Sequence, residues 1–225
     1  MKRIHLHALP LRLWHWANAL IVIILLITGI SIRMTGLPAL RPHDPVLVIH
    51  TYAGWVMTVL YITWFAYSLV SRHMVRNYSL TGLTASGIMH QARFYLYGIF
   101  TGEENPFRAS AHDTFNPLQK ITYTVLMFLF VPLIILTGLL FADVAALRHY
   151  LLLWKIAGIV NALHVLVSYI FALFLIVHVY MATLGPTYFT HIRAMITGYE
   201  EVPDHHEEPA ADSPVKTENT LQENA

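Results

Sequence analysis

Four long apolar runs constrain this chain more than any other feature of its sequence. They extend from about Leu13 to Ile32, Val48 to Val70, Ile121 to Phe141 and Ile156 to Leu184. A helix needs about 20 such residues to cross the hydrocarbon core of a bilayer. The expected fold is therefore an all-α integral membrane protein, a bundle of four transmembrane helices. The composition agrees: 56% of the 225 residues are hydrophobic and only 12% charged, about half the charged share of a soluble domain. The first run follows Lys2, Arg3 and Arg12. It is longer than the roughly 7–15 residues of a signal-peptide core, so it reads as a span that is retained.

The connections complete the plan. A short Pro-containing loop joins the first span to the second, and a short loop joins the third to the fourth. The longer link from Ser71 to Lys120 contains Ile88, Met89, Phe94, Tyr95, Leu96, Tyr97 and Ile99 around His90, Gln91 and Arg93. That pattern suits an amphipathic helix lying in the membrane interface between spans two and three. Residues 1–199 are read as the transmembrane domain. Residues 200–225, with eight acids, one Lys and three Pro, read as a disordered tail. The pair His205–His206 inside that tail is a weak metal candidate. With the N-terminus inside, the inner segments hold nine Lys and Arg and the outer loops four, leaving out Lys216 in the tail. Basic residues favour the cytoplasmic side, which predicts cytoplasmic termini at both ends.

The chain has no Cys and 14 His. Disulfides, thiolate nucleophiles, Cys-bound zinc and thiolate-held clusters are excluded for this chain alone. Four of the His, namely His15, His50, His164 and His178, fall within or at the edge of spans, where each polar ring needs a partner. His164 and His178 are 14 residues apart. At about 1.5 Å and 100° per residue they project from nearly one helix face, about 21 Å apart along the axis. The topology then sorts the four by depth. His15 and His178 lie at the inner level, His50 and His164 at the outer. Two neutral imidazoles saturate the axial positions of a haem iron, so the pairs His15/His178 and His50/His164 are the expected ligands of two haem b groups. Met57 and Met181 are read as packing residues. Gly29, Gly54 and Gly138 give either room for a porphyrin or close helix packing. Arg12, Arg33 and Arg72 suit either haem propionates or topology signals.

The stretch Arg12-Leu13-Trp14-His15-Trp16, Thr28-Gly29, His50, and His164 with His178 on one helix resembles a known family. It is that of the cytochrome b membrane subunits of respiratory formate dehydrogenases and the related thiosulfate reductase and nickel–iron hydrogenase cytochromes. The likeness covers roughly residues 10 to 200. It implies haem ligation by those four His with the same pairing. It also implies that Phe115-Asn116-Pro117-Leu118-Gln119-Lys120 borders a quinone site beside the inner haem, with Leu118 where the family has a small residue. Asn116, Gln119 and Lys120 offer hydrogen bonds and a positive charge for a quinone carbonyl, although a plain helix start would look similar. His112 and Asp113 could relay protons.

The expected function is thus a dihaem b-type subunit of a respiratory oxidoreductase complex in a bacterial cytoplasmic (inner) membrane. It exchanges electrons between menaquinone or ubiquinone and a periplasmic iron–sulfur or cytochrome subunit. Quinone chemistry belongs to this chain and the other substrate's chemistry to the partner. Membrane lipid is its surroundings, and no nucleic acid is expected. A stand-alone transmembrane reductase of the ascorbate or ferric type would need an outer substrate site, for which the outer loops look short. A His-based proton transporter would need intramembrane acids, and no Asp or Glu falls within the four runs, with Asp143 the nearest, at the edge of the third.

Overall fold

The computed structural model describes residues 2–35, 44–71, 74, 78–80, 82–107, 115–142, 151–185 and 187–202. Strand β1 is Lys2–His5, helix α1 Leu9–Thr35 and helix α2 Pro45–Val70. Helix α3 is Ala85–Arg93, continued through a π-helical turn Phe94–Gly98 into Ile99–Thr101. Helix α4 is likewise Pro117–Val125, a π-helical turn Leu126–Phe130 and Val131–Ala142. Helix α5 runs Leu151–Ala182, helix α6 Thr190–Thr197 and strand β2 Tyr199–Val202.

The four expected spans are α1, α2, α4 and α5, each long and apolar enough to cross a membrane. Their large side chains point outward all round. Leu20 and Ile27 on α1, Val59 and Ile62 on α2, and Leu173 and Ile176 on α5 are all exposed. A surface of that kind is stable against hydrocarbon and untenable in water. The chain is a multi-pass membrane protein. Where the spans start is set locally. Pro45 follows Asp44, whose carboxylate accepts from the Val46 amide at 2.9 Å, and Pro117 follows Asn116. Proline in a first helical turn forfeits no hydrogen bond.

Pro132 sits deep inside α4, where it has no N–H to give and its ring crowds the carbonyl four residues back. The helix answers by widening into the π turn just before it, with the Val131 amide bonding the Leu126 carbonyl. The wider turn keeps the two halves of α4 continuous.

Inside the bundle, Met57 and Trp64 of α2 pack with Leu126, Met127 and Val131 of α4 and with Val167 and Phe171 of α5. Trp64 is 2% exposed and meets Trp14 of α1 at a ring separation of 5.9 Å. The Trp14 indole N–H donates to the Leu60 carbonyl at 2.8 Å, which ties α1 to α2. Met57 is a packing residue, as its sequence context suggested.

Helix α3 is the amphipathic helix expected between spans two and three. Gln91, Phe94 and Gly98 are buried, whereas Met89, Leu96, Tyr97 and Phe100 are exposed. Thr84 caps its start and Gly102, at φ 76°, ends it.

The first and last described residues lie at one end of the bundle, the terminal end; the opposite one is the far end. There β1 and β2 form a two-stranded antiparallel ribbon with His5 opposite Tyr199. The helical pattern gave no hint of this ribbon, whose second strand is Tyr199–Val202. Helix α6 is a second addition. Its last carbonyls would be orphaned, and α1 supplies the donors. Arg12 donates to the Ile196 carbonyl and Trp16 to the Met195 carbonyl at 3.3 Å. Gly198 then turns the chain at φ 90°, and its carbonyl accepts from the Leu6 and His7 amides. A Cβ on Gly198 would fall 2.9 Å from the His7 carbonyl oxygen.

Gly198→Ala therefore meets both an unfavourable φ, worth about 1–2 kcal/mol, and a backbone clash. The expected outcome is faster hydrogen exchange at the Leu6 and His7 amides, by about 5- to 30-fold, with the protection of α5 unchanged.

Candidate functional site

Helix α5 is unbroken from Leu151 to Ala182 and carries His164 and His178. His15 lies in the second turn of α1 and His50 in the second turn of α2. The bundle brings the four rings into two pairs. His15 faces His178 with ring centroids 6.1 Å apart at 53°. His50 faces His164 at 6.3 Å and 71°. The first pair is at the terminal end and the second toward the far end. A metal–imidazole nitrogen bond is about 2.0 Å long, and the ring centroid lies about 1.1 Å behind that nitrogen. Two rings facing one metal ion thus have centroids about 6 Å apart. Both pairs fit a haem iron held on its two axial sides. Among the described residues no group of three or more His, Asp or Glu could hold a metal ion, so pairwise ligation is what the donor set offers.

The far pair is the better supported of the two. The Thr28 hydroxyl lies 2.8 Å from His50 Nδ1 and that of Thr137 lies 3.0 Å from His164 Nδ1. Each Thr is followed by a Gly that the same imidazole presses on. A Cβ at Gly29 would be 3.4 Å from His50 Cε1, and one at Gly138 would be 3.3 Å from His164 Cε1. Gly54, weighed alongside them, has nothing within 4 Å of where its Cβ would be. In the terminal pair, His178 stacks on Phe174 at 5.4 Å and 19°. His15 meets the edge of Trp16 at 5.2 Å. Its Nδ1 is buried without a hydrogen-bond partner among the described residues, as are Arg12 Nε, Trp64 Nε1 and Ser68 Oγ. All four belong to the terminal halves of α1 and α2.

Two other expectations can be placed. Arg12, weighed as a propionate partner, gives one guanidinium N–H to the C-terminal end of α6. Arg33 is exposed in the last turn of α1. Asn116, 2% exposed, closes a reciprocal cap on α4. Its Oδ1 accepts from the Gln119 amide at 2.8 Å and its own amide donates to Gln119 Oε1 at 3.1 Å. Its Nδ2 donates to the Tyr95 hydroxyl of α3 at 2.8 Å. Gln91, 1% exposed, holds Asn105 at 3.2 Å in the same polar cluster. Burial is the main reason that the Tyr95 phenol is held above its ordinary range, against opposing hydrogen bonds from Asn116, Gln91 and Asn105. The helix-start role of Asn116 and Gln119 is thus present in full. A ladder of aromatic rings links this cap to the terminal pair: Phe115 to Tyr123 at 5.0 Å, Tyr123 to Phe174 at 6.2 Å, then Phe174 to His178. His112, Asp113, Arg72, Asp143 and the tail with His205–His206 lie outside the described residues.

Sequence reasoning did not single out Thr137, although Thr137-Gly138 repeats Thr28-Gly29 and that repetition was a readable signal. Nor did it foresee α6, which is short and has no apolar run to announce it.

Comparison with known proteins identifies the family. The family model described as prokaryotic cytochrome b561 matches residues 6–198, a stretch that includes all four histidines. The chain is 30% identical to the putative cytochrome YdhU of Escherichia coli, over 88% of this chain and 75% of that protein. It is 24% identical to a probable Ni/Fe-hydrogenase B-type cytochrome subunit of Cupriavidus necator, over 91% of this chain and 89% of that one. A protein of the same description from Bradyrhizobium diazoefficiens is 25% identical, over 80% and 77%. No solved structure matches. The sequence resemblance to b-type cytochrome membrane subunits therefore holds, on its nickel–iron hydrogenase side. With its four apolar spans, the chain belongs to the prokaryotic cytochrome b561 family and is a multi-pass membrane b-type cytochrome that transfers electrons.

Proposed function

We propose that the chain holds two haem b groups and carries electrons through a bacterial cytoplasmic membrane, between menaquinone or ubiquinone and a periplasmic iron–sulfur or cytochrome subunit of an oxidoreductase complex. The observation that carries this reading is the pair of facing imidazole couples, 6.1 and 6.3 Å between ring centroids. Their shared helix α5 spaces them by 14 residues, about 21 Å of helix. A bound haem supplies exchange of one electron at a time between ferric and ferrous iron. The chain's part would be to hold each iron with two His, His15 with His178 and His50 with His164, which would leave no place on it for oxygen or substrate. By spacing its ligands along the membrane normal, it also sets one site near each face.

The orientation follows from the same principle as in the sequence. Nine Lys and Arg fall on the side of the termini against four on the other, which favours cytoplasmic termini. The ribbon that joins β1 to β2 supports a common side for both ends. A partner in an oxidoreductase complex is supported by the relatives described as Ni/Fe-hydrogenase cytochrome subunits. The His15/His178 site is then the inner one. The quinone is assigned to the segment Asn116, Gln119 and Lys120 at the start of α4. The aromatic ladder to His178 supports that place. The cap uses the side-chain oxygens of Asn116 and Gln119, and Asn116 Nδ2 is given to Tyr95, so the groups assigned to the quinone carbonyl are the Gln119 side-chain NH2, the Tyr95 hydroxyl and the Lys120 ammonium.

Two outcomes are expected. A reduced-minus-oxidised visible spectrum of the purified chain, scaled by pyridine haemochrome, gives two b-type haems per polypeptide. His164→Ala removes one of them and His15→Ala the other; one haem or none in the unaltered chain would sink the proposal. Asn116→Asp keeps the oxygen acceptor that caps α4 and loses the amide donor to Tyr95. The expected result is about a tenfold fall in kcat/KM for quinol, or about 1.4 kcal/mol, with both haems retained. Unchanged quinol kinetics in that variant and in Lys120→Gln would move the quinone elsewhere.

A further inference from the structure

The two threonines that touch the far pair have one hydroxyl hydrogen each, and the helix has already claimed it. Thr28 Oγ1 lies 2.7 Å from the Ile24 carbonyl oxygen and 3.2 Å from that of Leu25. Thr137 Oγ1 lies 2.8 Å from the Leu133 carbonyl and 3.1 Å from that of Ile134. Carbonyls only accept, so each hydroxyl donates along its own helix, as buried helical Thr do. Its lone pairs are what remains for the imidazole. His50 Nδ1 and His164 Nδ1, at 2.8 and 3.0 Å, must therefore be the protonated nitrogens.

With Nδ1 fixed as the donor, Nε2 carries the free lone pair, the nitrogen that a haem iron takes. The contact has an electronic side too. An imidazole that donates its other N–H to an oxygen becomes a more basic ligand. A more basic ligand stabilises the ferric state over the ferrous. Thr28 and Thr137 are 8% and 3% exposed, so water does not compete for these bonds, and a lost hydroxyl is not replaced. The terminal pair lacks this device on at least one side, since His15 Nδ1 has no partner among the described residues.

We infer that Thr28 and Thr137 are positioning residues for the far haem: they hold both of its ligands in one tautomer and lower its reduction potential, while leaving the other haem alone. This rests on the dihaem reading above. The two threonines sit on different hairpins, α1–α2 and α4–α5, yet do the same thing to ligands on opposite sides of one iron. Their effects are therefore independent and of equal sign.

The experiment is a redox titration of the purified full-length chain, followed by visible and electron paramagnetic resonance spectra. His164→Ala first identifies which signal belongs to the far haem. Thr28→Val and Thr137→Val each keep the volume and remove the hydroxyl. Each is expected to raise the reduced-to-oxidised ratio of the far haem at a fixed potential by about three- to tenfold, the upper figure being 59 mV for a one-electron couple. The double variant multiplies the two factors. Thr28→Ser and Thr137→Ser keep the hydroxyl and are expected to stay within about twofold of the unaltered chain. Two bound haems with no shift in the Val variants would overturn the inference. So would equal shifts in the Val and Ser variants, or a shift confined to the other haem. Loss of the far haem in the Ser variants as well as the Val ones would assign these positions to packing and overturn it too. An unaltered chain with fewer than two haems would instead overturn the dihaem reading, so the two failures are distinguishable.

Discussion

An imidazole at hydrocarbon depth has two nitrogens and nothing in lipid to satisfy either. Most of the bundle's inner detail answers to that constraint. A metal can take one nitrogen of each ring, but the other must find an acceptor within the protein or remain a buried cost. At the far pair the acceptors come from the neighbouring helix of the same hairpin, Thr28 for His50 and Thr137 for His164. The glycine after each threonine lets that helix come close enough for the contact. The two hairpins thus solve one problem with one device, a Thr-Gly step on the first helix and a His on the second.

The terminal end is built differently, from residues remote in sequence. The start of α1 is gripped by α6 and the turn after it through Arg12, Trp16 and the Gly198 carbonyl. His15 sits between the two gripping side chains, so its place in the bundle depends on a turn more than 180 residues away. There aromatic packing takes the role that hydroxyls play at the far end: Phe174 under His178, Trp16 against His15. The Asn116 cap serves the same end of the bundle. It starts α4 and fastens α3 to it through Tyr95 in one amide group.

The parts of this arrangement that could be read from the sequence are those with a long period. Twenty apolar residues, a 14-residue interval and a Lys and Arg imbalance each average over many positions. Together they were enough to give four spans, an interfacial helix and the pairing of His15 with His178 and His50 with His164. The features that were not legible depend on single contacts between distant positions. Nothing around Arg12 says that its partner is a carbonyl at residue 196. Eight residues of α6 carry too little pattern to stand out, and the ribbon needs both chain ends at once. Asn116 is the instructive intermediate case. Asn-Pro followed by Gln at the third position spells a helix start, and that meaning was visible beside the functional one.

The division of labour among the spans follows from counting the paired imidazoles. Helix α5 provides two, α1 and α2 one each, and α4 none. A helix that carries a paired ring at each level has to keep its register between them, and α5 is one unbroken helix over 32 residues. Helix α4, which gives no ring to either pair, is free of that demand. It is the span that tolerates Pro132 and a π turn, lends Thr137 to His164 of its neighbour, and begins in a buried polar cap joined to the interfacial helix. Irregular backbone in a membrane survives only where protein covers it, and Leu126 and Met127 of the π turn are buried in the core. The helix outside both pairs is accordingly the one on which the protein can build whatever distinguishes its two ends.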